Sequence, residues 1–122
     1  MNENIGIWSC GRTSSKRCKN KMIRGFGNTT LTDIFLSKIK KLGKNTFFAG
    51  YESVFKEKCK KNNVRFVQRT EKSADVDEPA SEIYNFLNDQ NYKYLLQVNA
   101  CLPFLRVETI INFLKICEKI KK

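Results

Sequence analysis

The chain has 122 residues, 41% hydrophobic and 29% charged, which suits one globular domain with one core and argues against disorder. Its 23 Lys and Arg against 12 Asp and Glu give a net charge of +11, a balance shared by nucleic-acid binders and by chains that scatter lysine over solvated faces. It contains no histidine, and Cys10, Cys18, Cys59, Cys101 and Cys117 form no C-x-x-C pair, so Cys-His and Ser-His-Asp catalysis are excluded and a zinc centre or disulfide framework is disfavoured.

Ile5-Gly6-Ile7-Trp8 is a short apolar run that reads as a buried strand. Directly behind it, the stretch from Arg12 to Arg24 carries Arg12, Lys16, Arg17, Lys19, Lys21 and Arg24 and no acidic residue. Thr13, Ser14 and Ser15 add hydroxyls. Hydroxyls, backbone N–H groups and cations behind a buried strand are how an α/β sheet presents a polyphosphate site; a solvated basic loop is the alternative. Leu31, Ile34, Phe35, Ile39 and Leu42 recur at helical spacing, with Thr30 or Thr32 as cap and Gly43 as stop. Thr46-Phe47-Phe48-Ala49 reads as a second strand. Ser53 to Asn62 reads as a lysine-rich helix with Val54, Phe55 and Cys59 on one face, and Val64-Arg65-Phe66-Val67 as a third strand. The polar connection from Arg69 to Glu78 carries Arg69, Asp75 and Asp77 and is long enough to be functional or a plain surface excursion. Pro79 opens a helix running to about Asn88, with Ile83, Phe86 and Leu87 inward. Tyr94-Leu95-Leu96-Gln97-Val98 is a fourth strand. After Pro103, Val107, Ile110, Ile111, Leu114 and Ile120 mark a last helix.

This alternation predicts an α/β fold: one domain over residues 1–122, a mainly parallel sheet in the order 3-2-1-4, and helices on both faces. Crossovers should be right-handed. In that order the first and fourth strands are neighbours, and a ligand crevice is expected beyond their carboxyl ends, where strand order reverses. The basic loop and Gln97-Val98-Asn99 would flank it. No apolar run approaches the length of a membrane span and no charged-then-apolar leader opens the sequence, so a soluble cytoplasmic protein with reduced thiols is expected.

The basic loop resembles the nucleotide loop of the sugar-acid cytidylyltransferases, the family of the acylneuraminate cytidylyltransferases (CMP-sialic acid synthetases) and the related CMP-KDO synthetases. Arg12-Thr13-Ser14-Ser15-Lys16-Arg17, then Lys21, is similar to that family's R-x-G-S-K-R or R-x-x-S-K-G followed by Lys, and Arg24-Gly25-Phe26-Gly27 to its P-L-G or P-F-G turn. Val67-Gln68-Arg69, then Asp77-Glu78-Pro79-Ala80-Ser81, resembles its arginine and later D-T-A-S-S-like segment. Leu95-Leu96-Gln97-Val98-Asn99-Ala100-Cys101-Leu102-Pro103-Phe104 resembles its L-L-Q-P-T-S-P-L strand end. The likeness runs in order through nearly the whole chain.

The resemblance implies a three-layer Rossmann-like nucleotide-diphospho-sugar transferase fold, truncated to its N-terminal half. It implies transfer of a cytidylyl group from CTP to a sialic-acid-like sugar acid, with release of pyrophosphate and with Mg²⁺. Arg12, Ser14, Ser15, Lys16 and Lys21 would hold the triphosphate, Arg12 and Lys21 also stabilising the charge that builds on it. Arg69 and Ser81 would lie near the nucleotide, and Gln97 and Asn99 by its base or sugar edge. Several positions depart from the pattern: Ser14 replaces a frequent Gly, Met22 an Asn, Gly25 a Pro, and Ala49-Gly50-Tyr51 an S-T-D. Cys101 stands where the KDO branch carries a metal-binding Asp, and a thiol suits a hard cation poorly; metal ligands are not identified in the chain. Family members run to roughly twice this length, their second half supplying acceptor contacts, a metal carboxylate pair and a dimerisation element. The chain is then a fragment, a separately encoded half, or a degenerate relative. A non-catalytic nucleotide- or polyanion-binding module is the alternative function. Nucleic-acid binding ranks last, because the basic loop interleaves no aromatic platform.

Overall fold

The protein is described here from a computed structural model, which covers residues 5–12, 23, 25–43, 45–75, 78–99 and 105–120. Four strands build one sheet: β1 (Ile5–Cys10), β4 (Thr46–Gly50), β5 (Arg65–Gln68) and β6 (Tyr94–Gln97). All three pairings are parallel and the spatial order is β5-β4-β1-β6. Counted along the chain, the sheet strands stand in the order 3-2-1-4, as the alternation of short and helical apolar periods predicts. Two further strands escaped that reading. β2 (Gly25–Phe26) and β3 (Thr29–Thr30) form a separate antiparallel hairpin, which turns at Gly27 with φ 63°. Glycine adopts that left-handed conformation without a Cβ clash.

Helix placement follows from crossover handedness. The steps β1 to β4 and β4 to β5 move the same way across the sheet, so right-handed crossovers put α1 (Leu31–Ile39) and α2 (Ser53–Asn62) on one face. The step from β5 back to β6 passes β1 in the other direction and carries α3 (Ala80–Ile83) to the opposite face. The last helix, α4 (Val107–Ile120), returns to the first face.

Side chains alternate across each strand, so the two faces hold different cores. Ile5, Ile7 and Phe48 pack with Phe35, Leu36, Ile39, Phe55, Cys59, Ile110 and Leu114 of the three large helices. Trp8, Phe47 and Ala49 pack with Phe86 in a smaller cluster. The smaller core is aromatic. Phe86 meets Trp8 edge-on at 5.4 Å between centroids, and Tyr92 stacks on Phe47 at 6.4 Å. This explains a departure from expectation: the helix opened by Pro79 stops at Tyr84, and residues 85–89 continue as a 3₁₀ turn. The tighter winding belongs to the segment that sets Phe86 against Trp8.

Cys59, on the inward face of α2, is buried, and desolvation pushes its thiol up to about 12. It is an inert core residue. α1 starts as its sequence dictates: Thr30 accepts the Asp33 amide at 3.1 Å and its hydroxyl donates to Asp33 Oδ2 at 2.8 Å. Lys58 Nζ donates to the same oxygen at 2.7 Å and Asn62 Nδ2 to the other at 3.3 Å, so one carboxylate ties α1 to α2. Burial raises the Asp33 carboxyl, but the bond and charge of Lys58, with the bonds of Thr30 and Asn62, outweigh it and hold the group below its ordinary 3.8. Asp33→Asn should therefore lower stability by about 1–2 kcal/mol at neutral pH. A depressed native pKa stabilises above the unfolded value and loses that effect as pH falls through the native one. Urea midpoints of the variant and the parent should thus converge in acid.

Candidate functional site

Because the four strands run parallel, their carboxyl ends share one edge of the sheet, and the reversal of direction between β1 and β6 lies on it. The ladder extends one residue beyond the strands at three places. Gly11 N donates to Ala49 O at 3.2 Å, Arg69 N to Gly50 O at 3.0 Å, and Val98 N to Trp8 O at 2.9 Å. The connections that leave this edge therefore start from fixed points.

Gly11 is the first of them. A Cβ there would stand 2.9 Å from Phe48 Cζ and 3.1 Å from Phe55 Cε1. Only a residue without a side chain lets the backbone lie flat on that aromatic floor before the basic stretch begins at Arg12.

Arg69 crosses the same edge from the end of β5. It is 5% exposed. Its Nη2 donates to Gly11 O at 2.8 Å and its Nη1 to Ser73 O at 3.3 Å. Nε is buried and has no hydrogen-bond partner among the described residues. Ser73 is held in turn: its amide donates to Thr70 Oγ1 at 3.1 Å and its hydroxyl to Ile83 O at 2.5 Å, tying the turn to α3. Gln68 Nε2 donates to the carbonyls of Tyr51 and Arg69, each at 3.0 Å, and links the ends of β4 and β5.

The sequence candidates distribute as follows. Arg12 is half-buried at the exit of β1, and Gln97 and Asn99 are exposed at the exit of β6. Those two line, with Leu105, Thr109 and Phe113, a cleft of about 360 Å³ between β6 and α4. Arg12, Arg69, Gln97 and Asn99 thus share the carboxyl edge. Ser81 is exposed on α3, over the opposite face. Ser14, Ser15, Lys16, Lys21, Asp77 and Cys101 lie outside the described residues. Gly11, Gln68 and Ser73 belong to the edge and were not singled out from sequence; the position of Gly11 directly before Arg12 was the available signal. The described residues hold no group of three His, Cys, Asp or Glu able to bind a metal ion. A larger hollow of about 440 Å³ lies beside β6, and the described residues that line it, Ile5, Tyr94, Leu95, Leu96, Phe113, Leu114 and Cys117, include no charged group.

The sequence model of one protein family, Cytidylyltransferase, matches residues 10–122, from the last residue of β1 onward. The chain belongs to the cytidylyltransferase family. No curated protein matches the sequence at a significant level. Among solved structures, a cytidylyltransferase from Leptospira borgpetersenii superposes with a TM-score of 0.73 at 19% identity, over 93% of this chain and 48% of that one. A CMP:2-keto-3-deoxy-manno-octonic acid synthetase complexed with CTP superposes with a TM-score of 0.74 at 8% identity, over 95% of this chain and 48% of that one. At such identities the superpositions establish the fold, the Rossmann-like α/β fold of the nucleotide-diphospho-sugar transferases. The chain spans about half the length of each.

Gly11→Ala should destabilise this cytidylyltransferase-family chain by about 1–3 kcal/mol, the usual cost of forcing a methyl into a packed site. The expected reading is a lower urea midpoint with an unchanged slope.

Proposed function

We propose that the chain is the nucleotide-holding half of an enzyme that transfers a cytidylyl group from CTP to a sialic-acid-like sugar acid. The observation that carries this is the basic, hydroxyl-rich stretch leaving β1 at the switch of strand order, in a chain whose family match begins there. Support for CTP comes from the second superposed structure, which was solved with that nucleotide.

In the proposed reaction the acceptor hydroxyl oxygen bonds to the α-phosphorus of CTP. The α–β phosphoanhydride bond breaks, pyrophosphate leaves with its electron pair, and the hydroxyl proton passes to solvent. The chain contributes positioning and charge. Arg12, Ser14, Ser15, Lys16 and Lys21 hold the triphosphate, and Arg12 and Lys21 offset the charge that grows on the leaving group. Gln97 and Asn99 meet the base or sugar edge from the end of β6, and Ser81 approaches from α3. Mg²⁺ would add neutralisation of the phosphates; the described residues offer no cluster to hold it. No described helix is long and apolar enough to cross a membrane, in keeping with a proposed cytoplasmic location.

Calorimetry with CTP, ATP and pyrophosphate tests the site. Lys21→Ala should weaken CTP binding by about 1–3 kcal/mol, the scale of a charge-assisted contact. Unchanged affinity would remove Lys21 from the site.

A second reading, a nucleotide- or polyanion-binding module without catalysis, draws on the same basic, hydroxyl-rich stretch after β1, which suits an anion whether or not transfer follows. Holding the acceptor in line supplies on the order of 7–11 kcal/mol of such a barrier. The 122-residue chain alone should accordingly release little or no pyrophosphate from CTP with Mg²⁺ and a panel of nonulosonic and ulosonic acids. Robust turnover would place the acceptor contacts within these residues and exclude the binding-module reading.

A further inference from the structure

On the reading that the carboxyl edge of the sheet holds a nucleotide, we infer that Tyr51 is the platform on which the base stacks. Tyr51 is the first residue after β4, and β4 lies between β5 and β1. Continued past its last pairs, Cys10 with Ala49 and Gly50 with Gln68, the register sets Tyr51 level with Arg12 on one side and with Arg69 on the other. Neighbouring strands stand about 5 Å apart, so Tyr51 emerges between the two arginine-bearing exits of this edge. Its ring is also without an occupant. Of the four tyrosines, Tyr84 meets Trp8 edge-on at 5.9 Å, Tyr92 stacks on Phe47 at 6.4 Å, and Tyr94 lies beneath Lys93 Nζ at 5.7 Å. Tyr51 is 42% exposed and its ring has no such partner among the described residues.

The backbone that carries this ring is held on each side. Gly50 O accepts the Arg69 amide at 3.0 Å, and Tyr51 O accepts Gln68 Nε2 at 3.0 Å. α2 begins at Ser53, and a Cβ on Gly50 would stand 3.0 Å from Phe55 Cβ, so the chain lies close over the first turn of that helix. An exposed ring on a fixed backbone loses little freedom on binding, since a tyrosine has only two side-chain torsions to fix. Every base has a π-face, so stacking adds affinity for a nucleoside without choosing among bases. This seat deepens the proposed function: it puts the base at the exits of β4 and β5 and leaves Gln97 and Asn99, across β1, to the sugar edge. The family pattern that the chain resembles has S-T-D in place of Ala49-Gly50-Tyr51, so the ring is a feature of this chain.

The test compares the parent chain with Tyr51→Ala and Tyr51→Phe by calorimetry with CTP, ATP and pyrophosphate. Tyr51→Ala should bind CTP and ATP about tenfold to a hundredfold more weakly and pyrophosphate as the parent does. Tyr51→Phe keeps the ring and should retain parental affinity for all three. A second measurement needs no destabilising variant: in the parent, the ring-proton resonances of Tyr51, assigned with Tyr51→Phe, should move upfield on addition of CTP and stay in place with pyrophosphate. Parental CTP affinity in Tyr51→Ala overturns the inference, as does a CTP-bound parent whose Tyr51 resonances do not move. Equal weakening of pyrophosphate and CTP overturns it too, because the ring would then act on the fold and not on the base. A Phe variant as weak as the Ala variant would replace stacking by a hydrogen bond from the hydroxyl. In each of these cases the parent still binds CTP and the nucleotide-site reading stands. A parent that binds pyrophosphate no less tightly than CTP has no seat for the nucleoside, which refutes the inference and favours a polyanion module. A parent that binds none of the three removes the nucleotide-site reading and the stacking role together.

Discussion

Parallel pairing on both sides of β1 is the constraint from which the rest of this structure follows. Ile7 stands opposite Thr46 on one side and Leu96 on the other, so β1 has no free edge. A parallel partner cannot be reached by a tight turn, and each pairing requires a crossover long enough to cover a face of the sheet. The crossovers leave β1 towards β4 and β5 and then return past it to β6. Their common handedness is what separates α3 from α1 and α2. The same reversal opens the edge at which Arg12, Gln97 and Asn99 leave their strands.

The two cores differ in construction and in what they do. The larger one, between the sheet and α1, α2 and α4, is mostly aliphatic and supplies most of the buried apolar surface. The smaller one is a short stack of rings in which Trp8 and Phe47 are the pivot. Phe48 and Phe55 of the larger core also form the floor beneath Gly11. Packing and site geometry are therefore not separable at the exit of β1: the rings that stabilise the fold also dictate a residue without a side chain at the start of the basic stretch.

Electrostatics divides along similar lines. The Asp33 carboxylate is the point at which four side chains bring α1 and α2 together, and its charge is answered directly by Lys58. Arg69 is a buried charge answered by backbone carbonyls, at the edge where a polyphosphate is proposed to sit. Among the described residues, Lys40, Lys41, Lys56, Lys60, Lys61, Lys115 and Lys119 stand exposed on helix faces, and a net charge of +11 attracts anions without selecting among them. Selectivity belongs to the groups that the fold holds still.

The sequence by itself determined the four sheet strands, their parallel order, the extent of α2 and a threonine cap for α1, with the structure choosing Thr30 over Thr32. Those features are local: an apolar run bounded by polar residues, a helical period, a hydroxyl three residues before an acid. The family was legible in the ordered motifs, and Arg12, Gln97 and Asn99 were legible as residues of one edge, because the alternation of elements implies a parallel sheet and the common order of such sheets sets the first and fourth strands side by side. The hairpin of β2 and β3 was not, since two-residue strands are shorter than any period. The break of the helix at Tyr84 depended on Phe86 meeting Trp8, a contact across 78 positions that no local pattern encodes. Only the tertiary structure decided that Arg69, which the family resemblance marks as a residue near the nucleotide, is buried with its fork on the carbonyls of Gly11 and Ser73. Burial and hydrogen-bond partnership are set by which strand ends come to lie side by side, and that is a property of the assembled sheet rather than of any segment.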